Sequence, residues 1–432
     1  MILIMTLMKY KDYFRSLIPV NSFRANVLTI MTGTSLAQAI PLLVSPILTR
    51  CYSPDDFGAF AVFMAVVSSV GVLSTGRYEL AIMLPENDDD AFNLLTLSII
   101  VSFFVCVIAL LVVIVFHNDI ALFMKVSKKW LYLIPLFLFF MGVYQAVTVW
   151  LNRRGHYGIL AKNRVYQGIA TALMSVGMGF SHIGSSGLIA GSLAGQVIAT
   201  GEICRNVWND TKGKLNILSK DSIINLAKRY KDFPKYDILS AFLNILANQI
   251  PVFLFSSYFG VVTVGFYALT VRVVKAPSSL ISNSILEAFK QRASSDFNKY
   301  GNCHDIYLKT LKSLVLLAIL PTALLLFASP ILFSVIFGKQ WVVAGEYAQI
   351  MSVMFFFGFI SSPLSYVFFI AEKQLYNLIW QTFLIVFSVA SILLGAYLKN
   401  VKVALVIYSV SYSILYVIYL AMSYKLSKGS YK

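Results

Sequence analysis

Apolar runs about as long as a bilayer is thick recur along this whole chain. A helix needs roughly 20 predominantly apolar residues to cross the hydrocarbon core, and a new run of this kind begins about every 30 to 40 residues. Hydrophobic residues make up 58% of the 432 residues and charged residues only 12%, about half the charged share of a soluble domain. Because the runs are continuous and do not alternate, a β-barrel is excluded. The chain is predicted to be an all-α polytopic membrane protein.

Twelve spans are predicted from these runs and from loop signals such as YSPDD, NRRGHYG and FGKQW. Their expected bounds are 26–49, 57–84, 92–116, 130–151, 164–183, 187–207, 236–258, 262–287, 308–328, 346–370, 376–398 and 402–424. The longest connection follows the sixth span and is rich in Lys. The predicted organisation is an N-terminal segment 1–25, a six-helix bundle 26–207, a linker 208–235, a second six-helix bundle 236–424 and a tail 425–432.

Positive charge predicts the orientation of these spans. The formal net charge is +16. Of the 35 Lys and Arg residues, 25 lie on the side that holds both termini and 7 lie on the other side. Because basic residues are enriched in cytoplasmic loops, both termini are predicted to be cytoplasmic. The excess charge therefore needs no nucleic-acid partner. The first residues lack the order of a secretory signal, since MILIMTLM precedes its basic residues.

Two stretches about 210 residues apart share a polar helix face and a proline. They are AQAIPLLVSPILTRCYSPDDFGAF and ANQIPVFLFSSYFGVVTVGFY. Residues at i, i+4 and i+7 line one face of a helix, and these positions hold Thr34, Gln38 and Pro41 in the first stretch and Asn244, Asn248 and Pro251 in the second. The alternative is chance similarity between apolar runs. The recurrence favours a duplication, with the halves related by an axis along the membrane normal and a water-lined site at their interface.

Span eight carries two cations where the membrane is expected to be driest. Arg272 lies roughly 15 Å into the span, and Lys275 follows it on the same side. Ser279 and Asn283 continue this face. A charge at the bilayer centre costs about 2.5 kcal/mol or more, so it normally faces protein or water. We predict that the two cations attract an anion in a cavity; the alternative is that Arg272 pairs with an acid of another helix.

Arg77 and Glu79 lie near the end of span two, two residues apart. In an α-helix this spacing separates side chains by about 200°, so no simple local ion pair is predicted. One expected arrangement has Arg77 facing the mouth of the cavity and Glu79 facing neighbouring helices, and the reverse is an alternative. Snorkelling of Arg77 to the interface is another alternative. Glu79 is a candidate for ion coupling, although a structural role beside a loop base is the favoured interpretation. The acidic run PENDDD is expected to be a solvated turn that starts the next helix.

Patterns typical of enzymes and metal sites are missing from the sequence. The four histidines are isolated, and the four cysteines form no CxxC. No paired carboxylates or metal-ligand spacings occur. We therefore expect no catalytic residue, no metal and no cofactor.

The segments ILTRCYSPDDFGAFAVFMAV and RYELAIMLPENDDDAFNLL resemble the polysaccharide-transporter family of O-antigen and capsule repeat-unit flippases. That family shares a superfamily with lipid II flippases and with multidrug and toxin extrusion (MATE) transporters. The likeness covers nearly the whole chain and is strongest in 27–98 and 230–295. YALTVRVVKAP is similar to the span-eight pattern of lipid II flippases, which implies an arginine on lipid diphosphate at Arg272. Arg77 is similar to the family's span-two arginine.

The resemblance implies a MATE-like flippase of the bacterial cytoplasmic membrane, with an undecaprenyl-diphosphate-linked oligosaccharide as its substrate. The substrate would move to the outer leaflet by alternating access, for O-antigen, lipopolysaccharide or capsule synthesis. The diphosphate would bind Arg272 and Arg77, with Lys275 added from its helix face. Polar groups for the sugars and the cavity lining are predicted from the residues themselves and not from the resemblance. They are Gln38, Asn244, Asn248, Tyr267, Ser279 and Asn283. Membrane lipids would surround the tail, H⁺ or Na⁺ is the expected coupling ion, and polysaccharide polymerase machinery is an expected partner.

Other classes of membrane protein remain as alternatives. A MATE-type cation exporter has the same architecture, but it should place acids, not bases, in its central cavity. A major-facilitator transporter should have a basic loop after span two, where PENDDD is acidic. A membrane glycan polymerase should have a large outer loop, which the predicted spans do not leave room for.

Overall fold

The computed structural model describes residues 23–124, 128–211 and 218–429, and these ranges are almost entirely helical. The predicted N-terminal segment up to residue 22, residues 212–217 of the predicted linker and residues 430–432 of the tail lie outside them. Twelve helices of 18 residues or more occur within the described ranges. They are α1 (Phe23–Cys51), α2 (Pro54–Gly71), α3 (Asp88–Met124), α4 (Leu133–Arg153), α5 (Tyr157–Phe180), α6 (Ser185–Thr211), α7 (Ile238–Phe259), α8 (Val261–Tyr300), α9 (His304–Phe337), α10 (Val342–Leu364), α11 (Gln374–Tyr397) and α12 (Val401–Ser427).

The expected fold class is confirmed: the chain is an all-α, multi-pass membrane protein. Eight helical stretches of the described ranges are long and apolar enough to cross a bilayer. They correspond to α3, α4, α6, α7 and α9 to α12, and the crossing of α1, α2, α5 and α8 remains a prediction. The side chains of α3 indicate that this helix faces lipid. Its apolar residues Phe103, Ile108, Leu111 and Val115 are all exposed. An apolar helix that buries few of its side chains in protein must cover them with lipid.

Several connections are shorter elements with their own roles. A 3₁₀ helix, Tyr78–Met83, follows α2, and an amphipathic linker helix, Lys220–Arg229, precedes a π-helical turn, Phe233–Asp237. Leu226 and Tyr230 of this linker region are buried in the core of the first half. The linker region therefore packs against the first six helices before the chain enters the second six.

The acidic run predicted to start span three does begin α3, with Asp88 in the first turn of that helix. Asp88 also has partners that the sequence did not indicate. Arg153, at the end of α4, places its Nε 3.2 Å from Asp88 Oδ1 and donates to the carbonyl oxygens of Ile82 and Pro85 at 3.1 and 2.7 Å. This arginine ties the 3₁₀ helix, the following turn and α3 together.

Each half has an aromatic core of its own. In the first half, Trp150 is 1% exposed and meets Phe92 edge-on at 5.6 Å between ring centroids. In the second half, the Tyr419 ring stacks on Phe368 at 4.6 Å and on Trp380 at 4.0 Å. Aromatic pairs of this kind stabilise a core beyond the apolar area they bury.

The two halves meet where α2 crosses α8. Gly58 is the fifth residue of α2 and Gly265 the fifth residue of α8. A Cβ atom on Gly58 would lie 1.9 Å from the carbonyl oxygen of Val261, and one on Gly265 would lie 1.8 Å from that of Pro54. Each glycine thus touches the first residue of the other helix. Reciprocal contacts between equivalent positions are what a two-fold axis produces, and we call this contact the glycine crossing.

The segment around the glycine crossing contains the TRCYSPDDFG motif, and its residues close this end of the bundle. Ser53 caps α2 and forms a capping box with Asp56, whose Oδ1 also accepts from the Ser185 amide at 2.6 Å. Trp341, from the second half, is fully buried and donates from Nε1 to the Thr49 carbonyl oxygen at 3.0 Å. The motif therefore builds contacts between helix ends and between the halves. We call the opposite end, which carries the Lys- and Arg-rich connections, the basic end.

Candidate functional site

The two span-eight cations lie on α8, and Arg272 lies at the contact between the halves. Arg272 donates from one guanidinium nitrogen to the Pro41 carbonyl oxygen of α1 at 3.0 Å. No carboxylate of the described residues lies within 4.0 Å of Arg272 or Lys275. Arg272 is half-buried, and the Lys275 side chain is exposed. The alternative of a structural ion pair at Arg272 is therefore not what the structure shows.

The polar face of α1 approaches the polar face of α8. Ser279 lies two turns after Arg272, and its hydroxyl donates to Gln38 Oε1 at 3.4 Å. Gln38 and Pro41 share a helix face one turn apart. We call the region where these two faces meet the inter-half cleft. Gln38, Pro41, Arg272 and Ser279 make its contacts, and Lys275 follows Arg272 by three residues on the same helix. The sequence predicted that these two faces belong to one site, and the structure brings them together.

Three other predicted lining residues are exposed and make no described hydrogen bond to the residues of the inter-half cleft. Asn244 and Asn248 are exposed on α7, and the Asn248 side chain donates to the Asn244 carbonyl oxygen of its own helix at 2.8 Å. Asn283 is exposed on α8. Their role as cavity-lining groups stays a prediction.

The structure does not support a cavity-lining role for Tyr267. This side chain is 7% exposed, and its ring lies 5.1 Å from that of Phe255 in a buried core to which both halves contribute. Tyr267 precedes Arg272 by five residues, which places it about 140° around α8. The helix face that carries the cations is therefore not the face that carries Tyr267.

Arg77 and Glu79 form the ion pair that the helical spacing excluded. Arg77 Nη1 lies 3.4 Å from Glu79 Oε1. The prediction was wrong because α2 ends at Gly71, and Gly76 and Arg77 both adopt left-handed backbone with φ of 61°. A non-glycine residue in this region costs roughly 1–2 kcal/mol. The chain therefore turns sharply here and brings both side chains to the same side.

Arg77 also has a partner that the sequence analysis missed. Its Nε donates to Asp237 Oδ2 at 2.6 Å, across the boundary between the halves. Glu79 is almost fully buried, with a side-chain exposure of 4%, and it accepts from the Thr75 hydroxyl. The only sequence signal for Asp237 was an acid at the end of a Lys-rich linker. Arg77 thus lies between two carboxylates, which distinguishes it from Arg272.

Comparison with known proteins places the chain in a family. The profile of the family described as "Polysaccharide biosynthesis protein" matches residues 47–346. This protein belongs to that family. The match includes the TRCYSPDDFG motif, the 3₁₀ helix and the cationic part of α8. No curated protein matches the chain.

Several solved transporter structures share the fold of this chain. The inward closed conformation of the lipid II flippase MurJ matches with a TM-score of 0.69 and 15% identity, over 92% of this chain and 87% of that one. The MATE multidrug transporter DinF-BH matches with a TM-score of 0.63 and 16% identity, over 93% of this chain and 94% of that one. A MOP superfamily transporter from Pyrococcus furiosus matches with a TM-score of 0.60 and 12% identity, over 94% of this chain and 97% of that one. At these identities the likeness establishes the fold, and the predicted MATE-like architecture is confirmed.

Proposed function

We propose that this protein is a flippase for a lipid-linked oligosaccharide in the bacterial inner membrane. Its substrate would be an undecaprenyl-diphosphate-linked repeat unit, turned from the cytoplasmic to the outer leaflet for O-antigen, capsule or a related surface polysaccharide. The observation that carries this proposal is the pair of cations, Arg272 and Lys275, in the inter-half cleft without a carboxylate among the described residues. Family membership supports a role in polysaccharide synthesis.

The chemistry of the cleft fits an amphipathic anion. A guanidinium binds phosphate oxygens with two parallel hydrogen bonds, and an ammonium adds a mobile point charge. Gln38 and Ser279 supply amide and hydroxyl groups for sugar hydroxyls beside the cations. A cleft between two bundles lets the isoprenoid tail stay in the bilayer while the headgroup crosses. A charge held at membrane depth is expensive unless water or an anion compensates it, and a diphosphate does so.

Alternating access supplies the movement in this proposal. The glycine crossing closes one end of the bundle, and the positive-inside rule assigns the basic end to the cytoplasm, together with both termini. The substrate would then enter from the basic end and leave after the crossing opens. H⁺ or Na⁺ would drive the cycle, with Glu79 as the candidate coupling residue, and a polysaccharide polymerase would receive the product.

The deciding experiment measures leaflet exchange of a lipid-linked oligosaccharide in proteoliposomes. Arg272→Ala should lower the rate about 10- to 150-fold, the size of a lost hydrogen bond to a charged group. Arg272→Lys should retain an intermediate rate, because lysine keeps the positive charge but cannot form the two parallel hydrogen bonds of a guanidinium. The matched control is Arg292→Ala, on the same helix but 70% exposed and paired with Asp296. Exchange at the wild-type rate in both Arg272 variants would remove this cleft from the transport path.

A MATE-type exporter of small cations shares the fold and makes the opposite prediction. Its substrate would be repelled by Arg272 and Lys275, so neutral variants should transport it better. Glu79→Gln tests the coupling role separately. If exchange in this variant still responds to an imposed proton or sodium gradient as in wild type, Glu79 is a structural residue only.

A further inference from the structure

Arg77 connects the two halves at the basic end. It lies just before the 3₁₀ helix of the first half, and its partner Asp237 ends the turn that leads into α7 of the second half. The bond is short, at 2.6 Å between Nε and Oδ2. Since the linker region packs on the first half, this ion pair fixes the start of α7 against the first half. The glycine crossing holds the halves together at the other end.

The two carboxylate partners of Arg77 differ in how easily they can leave. Glu79 is two residues away, has a side-chain exposure of 4% and is held by Thr75. Asp237 is 41% exposed, and it borders an open surface groove of about 390 Å³ together with Asp232, Tyr236 and Ser240. An exposed ion pair exchanges its partners with solutes and is weakened by salt. Glu79 is therefore the fixed partner and Asp237 the exchangeable one.

We propose that Arg77 and Asp237 form a latch that closes the basic end, and that an entering diphosphate releases it by replacing Asp237 on Arg77. The left-handed backbone at Arg77 holds the guanidinium toward the other half, where a phosphate can compete for it. Glu79 keeps the arginine in place after Asp237 leaves. The identity of the anion rests on the proposed function, whereas the latch itself does not.

The latch is tested by a distance between the halves in the full-length protein. Spin labels at Asn87→Cys and Asn298→Cys, both exposed near the basic end, report the separation after the four native cysteines are replaced by serine. Asp237→Asn should raise the ratio of long- to short-distance populations up to about fivefold, the size expected for a part-exposed ion pair. Asp237→Glu should stay near the wild-type distribution because the charge is kept.

Control variants separate the latch from general loosening. Asp296→Asn breaks a pair with Arg292 inside α8 and should leave the distances unchanged. The charge swap Arg77→Asp with Asp237→Arg should restore part of the short-distance population that either single change loses. Equal distributions for wild type and Asp237→Asn would overturn the latch, and so would an effect of Asp296→Asn of the same size.

Inorganic pyrophosphate is the probe for the exchange. At constant ionic strength it should shift the wild-type protein toward the long distance and leave Arg77→Gln unchanged, while Arg292→Gln, on an exposed arginine outside the proposed binding site, should still respond. A pyrophosphate effect that persists in Arg77→Gln, or is absent from wild type, would overturn the exchange on Arg77. Neither result bears on leaflet exchange by Arg272 variants, so failure here is distinguishable from failure of the proposed flippase.

Discussion

The glycine crossing predicts that one added methyl group changes the balance between conformations. In Gly265→Ala the new Cβ would lie 1.8 Å from the Pro54 carbonyl oxygen, whereas ordinary contacts begin at 3.4 Å. The difference means that α2 and α8 must separate by about 1.6 Å. Overpacking of this kind costs roughly 1–3 kcal/mol. If the halves part here during transport, only the closed state bears this cost, and its population relative to the open state falls about 5- to 150-fold.

Spin labels at Ser181→Cys in the first half and Lys339→Cys in the second measure the opening of this end, since both positions are exposed. Gly265→Ala and Gly58→Ala should each shift the distribution to longer distances. Gly201→Ala is the matched control, because a Cβ there meets nothing within 4 Å, and it should leave the distances unchanged. A loss of thermal stability in Gly265→Ala without any change in distance would refute the reasoning, since the crossing would then be a permanent contact.

Two further predictions concern the ends of helices. Asp56→Ala should lower the unfolding free energy by about 1–3 kcal/mol, because the amides of Ser53 and Ser185 lose their acceptor. The neighbouring Asp55→Ala should stay within about 0.5 kcal/mol in the same thermal unfolding assay, and equal effects would contradict the role of Asp56. Burial, with Asp296 adding to it, raises the pKa of the Cys303 thiol to about 11. Iodoacetamide at pH 8 should therefore modify Cys303 much more slowly than an unperturbed thiol, and rapid modification in the folded protein would contradict its burial.

Helix periodicity accounts for what the sequence could predict about the site. Residues three, four or seven apart share a face wherever a helix is continuous, so the pattern could place Gln38 with Pro41 on one face of α1 and Arg272 with Ser279 on one face of α8. The contact between these two faces is visible only in the structure. The same reasoning gave the all-α class and the approximate ends of most helices. These predictions depend only on local geometry and on the cost of exposing charge to lipid.

The predictions that failed depended on information that no local pattern contains. The spacing of Arg77 and Glu79 was interpreted on a continuous helix, but two left-handed residues interrupt the backbone there. Asp237 is 160 residues from Arg77, and only the packing of the linker region brings the two together. Tyr267 was chosen for its chemistry, while its angle around α8 places it in the core.

The reciprocal form of the glycine crossing couples the movements of the two halves. Because Gly58 and Gly265 lie on either side of one axis, a single rocking movement must break both contacts together, and neither half can swing open alone. A second alanine then acts on helices that are already apart, so its added effect should be smaller than the first. A side chain added at either glycine therefore acts on the same contact, and both halves feel it.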